Sequence, residues 1–230
     1  DSWGSAANWN LDTLPTFTAP GDDIGFVGTG GTFGATTLDG DRVINSLSFN
    51  TLLGGSIDAG TGGSLTITTG NITRNNLTGD ELEHVISAPL VLGATGTWNI
   101  NGAASLTVSG GISDNGGGFG FTKTTAGTLR LTGDSYHSGT VTMSGGVLQV
   151  GSDYALGYGT LNHTAGTLEA VAGPRTLYNS VTLGGTMSLT GESLTLAGPV
   201  YMAADRALQV SNYTTITGAI TSDNAARTLY

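Results

Sequence analysis

The chain has 230 residues, of which 39 are Gly and 37 are Thr, a third of the molecule; only 10% are charged, with a formal net charge of −10. Gly and Thr are poor helix formers, which excludes a helical protein, and the absence of Cys excludes a disulfide scaffold or a thiolate metal site. The Gly residues keep no three-residue period, which excludes collagen, and the negative charge opposes holding nucleic acid or an anionic membrane through the overall field.

In chain order, residues 1–45 are expected to form N-terminal strands and a solenoid cap, with Trp3 and Trp9 covering the open end. Asp22-Asp23 and Asp39-Gly40-Asp41 read as solvated turns, with Arg42 an ion-pair partner for the second. The segments Ser64-Leu65-Thr66-Ile67-Thr68, Ser105-Leu106-Thr107-Val108, Thr128-Leu129-Arg130-Leu131, Leu148-Gln149-Val150, Ser193-Leu194-Thr195-Leu196 and Ala207-Leu208-Gln209-Val210 alternate polar and apolar residues. Period two means half-buried strands, and the intervening Gly residues supply corners. Residues 80–84 are the best candidate for one helical turn. The apolar run at residues 85–93 contains Pro89 and is half of the roughly 18 residues a membrane span needs, so no membrane insertion is expected.

Longer echoes lie above this text. Residues 89–112 are echoed by 180–200, and Gly110-Gly-Ile-Ser-Asp-Asn115 by Gly218-Ala-Ile-Thr-Ser-Asp-Asn224. From residue 128 to 170 the Leu-x-[Val/Leu] strands return about every 20 residues, as in a solenoid. Asp39-Gly40, Asn101-Gly102 and Asn115-Gly116 are hairpin signals that keep an antiparallel sandwich in view. Similar strand text at coil spacing decides for an all-β, right-handed parallel β-helix with Gly-rich corners, continuous over 46–230. Roughly 10 coils at about 4.8 Å each give a rod about 50 Å long.

Residues 121–150 resemble the autotransporter-associated β-strand repeat, also called the passenger-associated transport repeat. Lys123, Gly127, Thr128, Leu129, Leu131, Gly133, Tyr136, Gly139, Leu148 and Val150 fall on its pattern, within a motif region at 120–151. Thr125 departs from it where Gly is usual, and Asp134-Ser135 replaces an Asn-containing stretch with one residue fewer. Trp3, Asn8-Trp9 and Pro20-Gly21-Asp22 are similar to the opening of large secreted proteins that carry the repeat, and residues 175–183 to the segment that follows it. The resemblance implies a β-helical stalk of a bacterial surface protein, commonly ahead of an outer-membrane barrel, with an extracellular or cell-surface location. It also implies a structural role for Lys123 at a coil corner, Tyr136 in a corner, and a solvent-facing His137. A chain without Cys suits export in an unfolded state.

By the second echo, Arg227-Thr-Leu-Tyr230 stands where the next Lys-bearing strand would begin. An unfinished coil exposes unpaired backbone groups, so continuation of the chain or end-to-end self-association into fibres is expected.

Some β-helices act on polysaccharides through clustered carboxylates. Here Asp22-Asp23, Asp39/Asp41 and Glu81/Glu83 are scattered, and Asp134-Ser135-Tyr136-His137 are too adjacent to converge as a triad. Residues 39–50 start like an EF-hand but have Ile44 and Asn50 at the Gly and Glu positions; a weak Ca²⁺ ion at an Asp-rich turn stays open. His84, His137 and His163 lack metal-ligand spacing. Gly116-Gly-Gly-Phe-Gly120 has no following Lys-Ser/Thr or helix, so it is not a phosphate loop. The pair Trp3/Trp9 and threonines such as Thr66/Thr68 are the candidates for a glycan-facing surface. No catalytic residue, metal or cofactor is assigned. The expected function is a non-catalytic extracellular segment for surface display, adhesion or fibre assembly, partnered by itself, a glycan, or a host or biofilm surface; a polysaccharide-active enzyme or glycan-binding module is the alternative.

Overall fold

A strand of three to six residues with one apolar face cannot bury that face alone. In the computed structural model, which describes residues 2–5, 17, 19–28, 34–51, 54–77 and 83–230, stacking buries it. The described residues form 24 strands and no helix, and parallel sheets wind into a β-solenoid of about nine turns. At ~4.8 Å per turn the stack is about 43 Å long.

The first face carries Asp23–Gly28, Ser46–Thr51, Ile72–Arg74, Gly96–Ile100 and Phe121–Thr124, then Val181–Leu183, Val200–Met202 and Ile220–Ser222. The second carries Ala35–Thr37, Gly55–Asp58, Glu83–Ile86, Ser105–Val108 and Thr128–Leu131, then Met187–Gly191 and Leu208–Val210. In the middle, Val141–Val150 and Leu161–Ala170 run from one face to the other, which joins both into a 17-stranded sheet. The third face is divided. Its four-stranded part is Arg42–Ile44, Leu65–Ile67, Leu90–Leu92 and Ile112–Ser113; its three-stranded part is Arg175–Leu177, Leu194–Leu196 and Thr214–Ile216. Between them, residues 132–140 and 151–160 cross this face without a strand.

Parallel register places like positions in columns, with a local shift between Met143 and Val147 where Val141–Val150 pairs with Leu161–Ala170. On the first face the inward column is Ile24, Leu47, Ile72, Trp98, Lys123, Met143, His163, Leu183 and Met202, all buried. Successive members are 23 to 26 residues apart as far as Lys123, and 19 or 20 apart beyond it. On the second face the column from Leu106 through Leu129, Leu148 and Leu168 to Leu189 is entirely Leu. The longer coils enclose more cross-section and fill it with rings. Trp98 stacks on Phe121 at 4.1 Å between centroids, and Phe26 on Phe49 at 5.5 Å. The shorter coils close around Leu, Val and Met.

Three expectations are corrected. Glu83 and His84, placed in a helical turn, begin the strand Glu83–Ile86; residues 80–82 lie outside the described set. The echoes share strand text but not position. Leu90–Leu92 is on the third face and Val181–Leu183 on the first, while Ile112 and Ile220 differ likewise. Arg227–Tyr230 accordingly runs beside the second face, where Leu229 bridges Arg206, rather than in the place of a Lys-bearing strand. Apart from these corrections, Asp23–Gly28 pairs in parallel with Ser46–Thr51.

Candidate functional site

The division of the third sheet coincides with the repeat motif. Lys123 is fully buried on the last long-coil step. Its Nζ donates to the carbonyls of Gly145 (2.9 Å), Thr125 (3.2 Å) and Thr124 (3.5 Å), so one ammonium satisfies corner carbonyls of two coils. Burial pushes its pKa down to about 8. A Cβ on Gly146 (φ +67°) would stand 2.6 Å from that Nζ and 2.4 Å from the Gly127 oxygen. Gly127 in turn stands so near the Ile100 oxygen that a Cβ would come within 2.5 Å. Thr128, Leu129 and Leu131 form the second-face strand, with Leu129 and Leu131 inward against Leu148 and Val150. Gly133 and Gly139 lie where the chain passes closely over the coil beneath.

Beyond Leu131 no third-face strand forms, because the corner's backbone groups find other partners. Ser135 N donates to the Tyr154 oxygen (3.0 Å), Tyr136 N to Ile112 O (2.7 Å) and Tyr158 N to His137 O (2.9 Å). Asn179 Nδ2 donates to the oxygens of Gly157 and Gly159. Asp114 ties this corner to the coil below, accepting from Gly116 N, Phe119 N, Ser138 N and Ser138 Oγ at 3.0–3.1 Å. Burial pushes its carboxyl up, but those four donors outweigh burial and hold the pKa at about 2. The glycines of 116–120 therefore close an Asp-centred loop, with amides turned toward a carboxylate rather than toward a phosphate.

What this corner presents to solvent is aromatic. Tyr136, Tyr154, Tyr158 and Tyr178 are 45–64% exposed. Tyr136 and Tyr158 lie 6.3 Å apart, tilted, and Tyr154 and Tyr178 lie 6.0 Å apart, stacked. Beside them is a shallow cleft of about 400 Å³ lined by Thr132, Asp134, Gly151, Ser152, Asp153, Tyr154 and Arg175. Ser152 Oγ donates to Asp134 Oδ1, Thr176 N donates to Asp153 Oδ1 (2.9 Å), and Arg175 donates to the oxygens of Val171 and Ala172. A second groove, of about 450 Å³, lies on the first face of the long coils. Ser48, Asn71, Thr73 and Asn99 line it without any ring.

The other candidate residues do not assemble. Ser135 accepts from Ile112 N (3.2 Å) and does not meet His137, which is fully buried beside the Phe121 ring. The expected solvent-facing His137 is thus corrected. Burial lowers its pKa, with the Asp114 charge opposing. Arg42 donates to the backbone oxygens of Leu38 and Asp39 and covers the Phe17 ring, instead of pairing with an Asp carboxylate. Asp39 accepts from the Thr37 hydroxyl and the Thr61 amide, and Asp41 from Ser64; the Ser2 hydroxyl first, then the Thr37 hydroxyl and the Thr61 amide, hold Asp39 at about 2. Asp23 accepts from Asn45 and Ser46, and Glu83 accepts from Thr107. The EF-hand-like segment runs through strands Arg42–Ile44 and Ser46–Thr51. Among the described residues, no three His, Asp or Glu side chains converge on a common point. Trp3 is buried against Phe17 and Phe26 and donates to Thr36 Oγ1 (3.1 Å); Trp9 and Glu81 lie outside the described residues. Thr66 stacks between Val43 and Val91, so no Thr-x-Thr surface builds there.

No family model and no solved structure matches the chain. Over 152 residues, 65% of its length, it is 32% identical to a protein of Brucella suis biovar 1 (strain 1330) described as "Adhesin BmaC autotransporter". The resemblance to the β-helical autotransporter family holds. The chain spans about 4% of that relative's length. Within this autotransporter-like solenoid, sequence reasoning missed Asp114, Asp153, Arg175 and three of the four tyrosines. A signal was present: all seven Tyr residues lie beyond residue 135, and all six Phe and three Trp residues lie before residue 122.

Proposed function

We propose that this chain is a non-catalytic adhesion segment of an exported bacterial passenger, held at the cell surface as a rigid rod. The observation that carries this reading is the 32% identity to an adhesin autotransporter in a chain that folds as a continuous parallel solenoid. The chemistry of its corners supports it. The carboxylates of Asp23, Asp39, Asp41, Asp114 and Asp153 accept hydrogen bonds from neighbouring amides, amide side chains or hydroxyls, so they serve as fasteners between coils. A general acid and base need two carboxyls facing a shared substrate position.

The test is retention of the purified, fluorescently labelled chain on epithelial cells and on biofilm surfaces, together with reducing-end and unsaturated-product assays on a polysaccharide panel. Saturable retention without turnover is the expected result. Robust release of sugar products, or no retention on any surface, overturns the reading.

A further inference from the structure

Tyrosine carries an apolar ring face and a polar tip. Of the seven tyrosines in the chain, four gather on the corner where the third sheet is interrupted, and they come from three successive coils. These rings are half or more exposed apart from Tyr154 at 45%, and exposed apolar patches of this kind mark interaction sites. The adjoining cleft adds fixed polar groups. Asp134 and Asp153 both line the cleft, and the bonds that hold them within the fold go to Oδ1 in each. Arg175 is anchored through Nε and Nη2, so its Nη1 is held in place as a donor. Two acceptors and one donor beside stacked rings match adjacent hydroxyls and the apolar C–H face of a pyranose. A few positioned polar groups in a concave, ring-lined site are the usual anatomy of small-ligand recognition. From one coil to the next the paired rings stand 6.0–6.3 Å apart, so a linear ligand laid along the solenoid axis meets them in turn. The −10 net charge and the two carboxylates oppose uronates and sulfated sugars.

We infer that the tyrosine-lined break in the third sheet is a binding site for a linear glycan of uncharged sugars, with rings from Tyr136, Tyr154, Tyr158 and Tyr178 stacking on pyranose faces and Asp134, Asp153 and Arg175 holding hydroxyls. This deepens the adhesion reading and rests on it. The experiment is isothermal titration of the full chain with hexasaccharides of glucose, N-acetylglucosamine and galacturonate. Binding of at least one uncharged hexasaccharide is expected, with no heat from the uronate. Tyr154→Ala and Tyr158→Ala should each weaken that binding about tenfold, as loss of a stacked ring implies. Tyr201→Ala, on the first face, should leave it unchanged, and an unshifted melting temperature shows that each variant is folded.

Binding that survives Tyr154→Ala and Tyr158→Ala, or no binding of either uncharged sugar, overturns the site. If the chain still adheres to cells after enzymatic removal of their surface glycans, the site fails while the adhesion reading stands, and the partner is a protein. If the chain neither adheres nor binds any sugar, both fail.

Discussion

The coils before Lys123 and those after it solve the same packing problem at different sizes. The long coils add corner residues, enclose a wide section and fill it with Phe49, Trp98 and Phe121, together with the buried cation of Arg74. The short coils shed about five residues per turn, keep a column of Leu, and turn their aromatic residues outward as tyrosine. The large Phe and Trp rings thus lie inside the long coils, and the Tyr rings lie outside the short ones. Lys123 and Asp114 stand at the join, one satisfying carbonyls of two coils and the other clamping amides of two coils.

Breaking either side of this comparison should have graded effects. In a solenoid, stability is close to a sum of coil and interface terms, so damage stays local. Trp98→Ala should cost most, about 3–5 kcal/mol from lost burial and the cavity together. Hydrogen exchange should then rise in residues 72–124 far more than in 161–202; equal loosening of both halves would show a single cooperative core. Asp114→Ala should cost about 2–3 kcal/mol, because it strands amide donors that now meet a charged acceptor. The Asp114 carboxyl titrates lower in the folded chain (about 2) than in a model peptide (3.8), so its contribution is complete above pH ~4 and is lost as pH falls through about 2. Acid melts of the wild type should show that loss, and those of Asp114→Asn should show less of it.

Lys123→Met places the side chain of the next coil's Met143 at the join and should cost about 1–2 kcal/mol through carbonyls left without a donor. For this lysine the folded pKa, about 8, lies below its ordinary value of 10.5. The unfolded chain thus holds the extra proton between those values, and wild-type stability should rise relative to Lys123→Met from pH 8 to 10.5. A constant difference across that window would contradict a desolvated ammonium. The smallest effect belongs to Thr125, a β-branched residue at φ +65°, where strain is expected. Its hydroxyl recovers part of the cost through the Ile100 oxygen at 2.5 Å. Thr125→Gly should therefore stabilise the chain by less than about 1 kcal/mol, read as a small upward shift in melting temperature.

Much of the fold was legible because solenoid positions are encoded locally. The alternation in Thr128-Leu129-Arg130-Leu131 gives its strand and inward face without reference to distant residues. Two things were not legible. Strand text recurs by face as well as by coil, so the echo between residues 89–112 and 180–200 matched sequences one face out of phase. The interruption at residues 132–140 and 151–160 depends on hydrogen bonds between coils, such as Ser135 to Tyr154 and Asn179 to Gly157, which no local pattern announces. His137 was misplaced for a related reason: it is buried beside Phe121, across the same turn, a contact that no local pattern announces. The candidate site was visible only in the one-sided distribution of Tyr, Phe and Trp along the chain.

The two clefts give the sharpest test. Surface retention should be compared between a chain with all four corner tyrosines changed to Ala and one with Ser48, Thr73 and Asn99 of the long-coil groove changed to Ala. The account predicts that the tyrosine variant loses retention, while the groove variant adheres as the wild type does. Retention lost from the groove variant and kept by the tyrosine variant would contradict it.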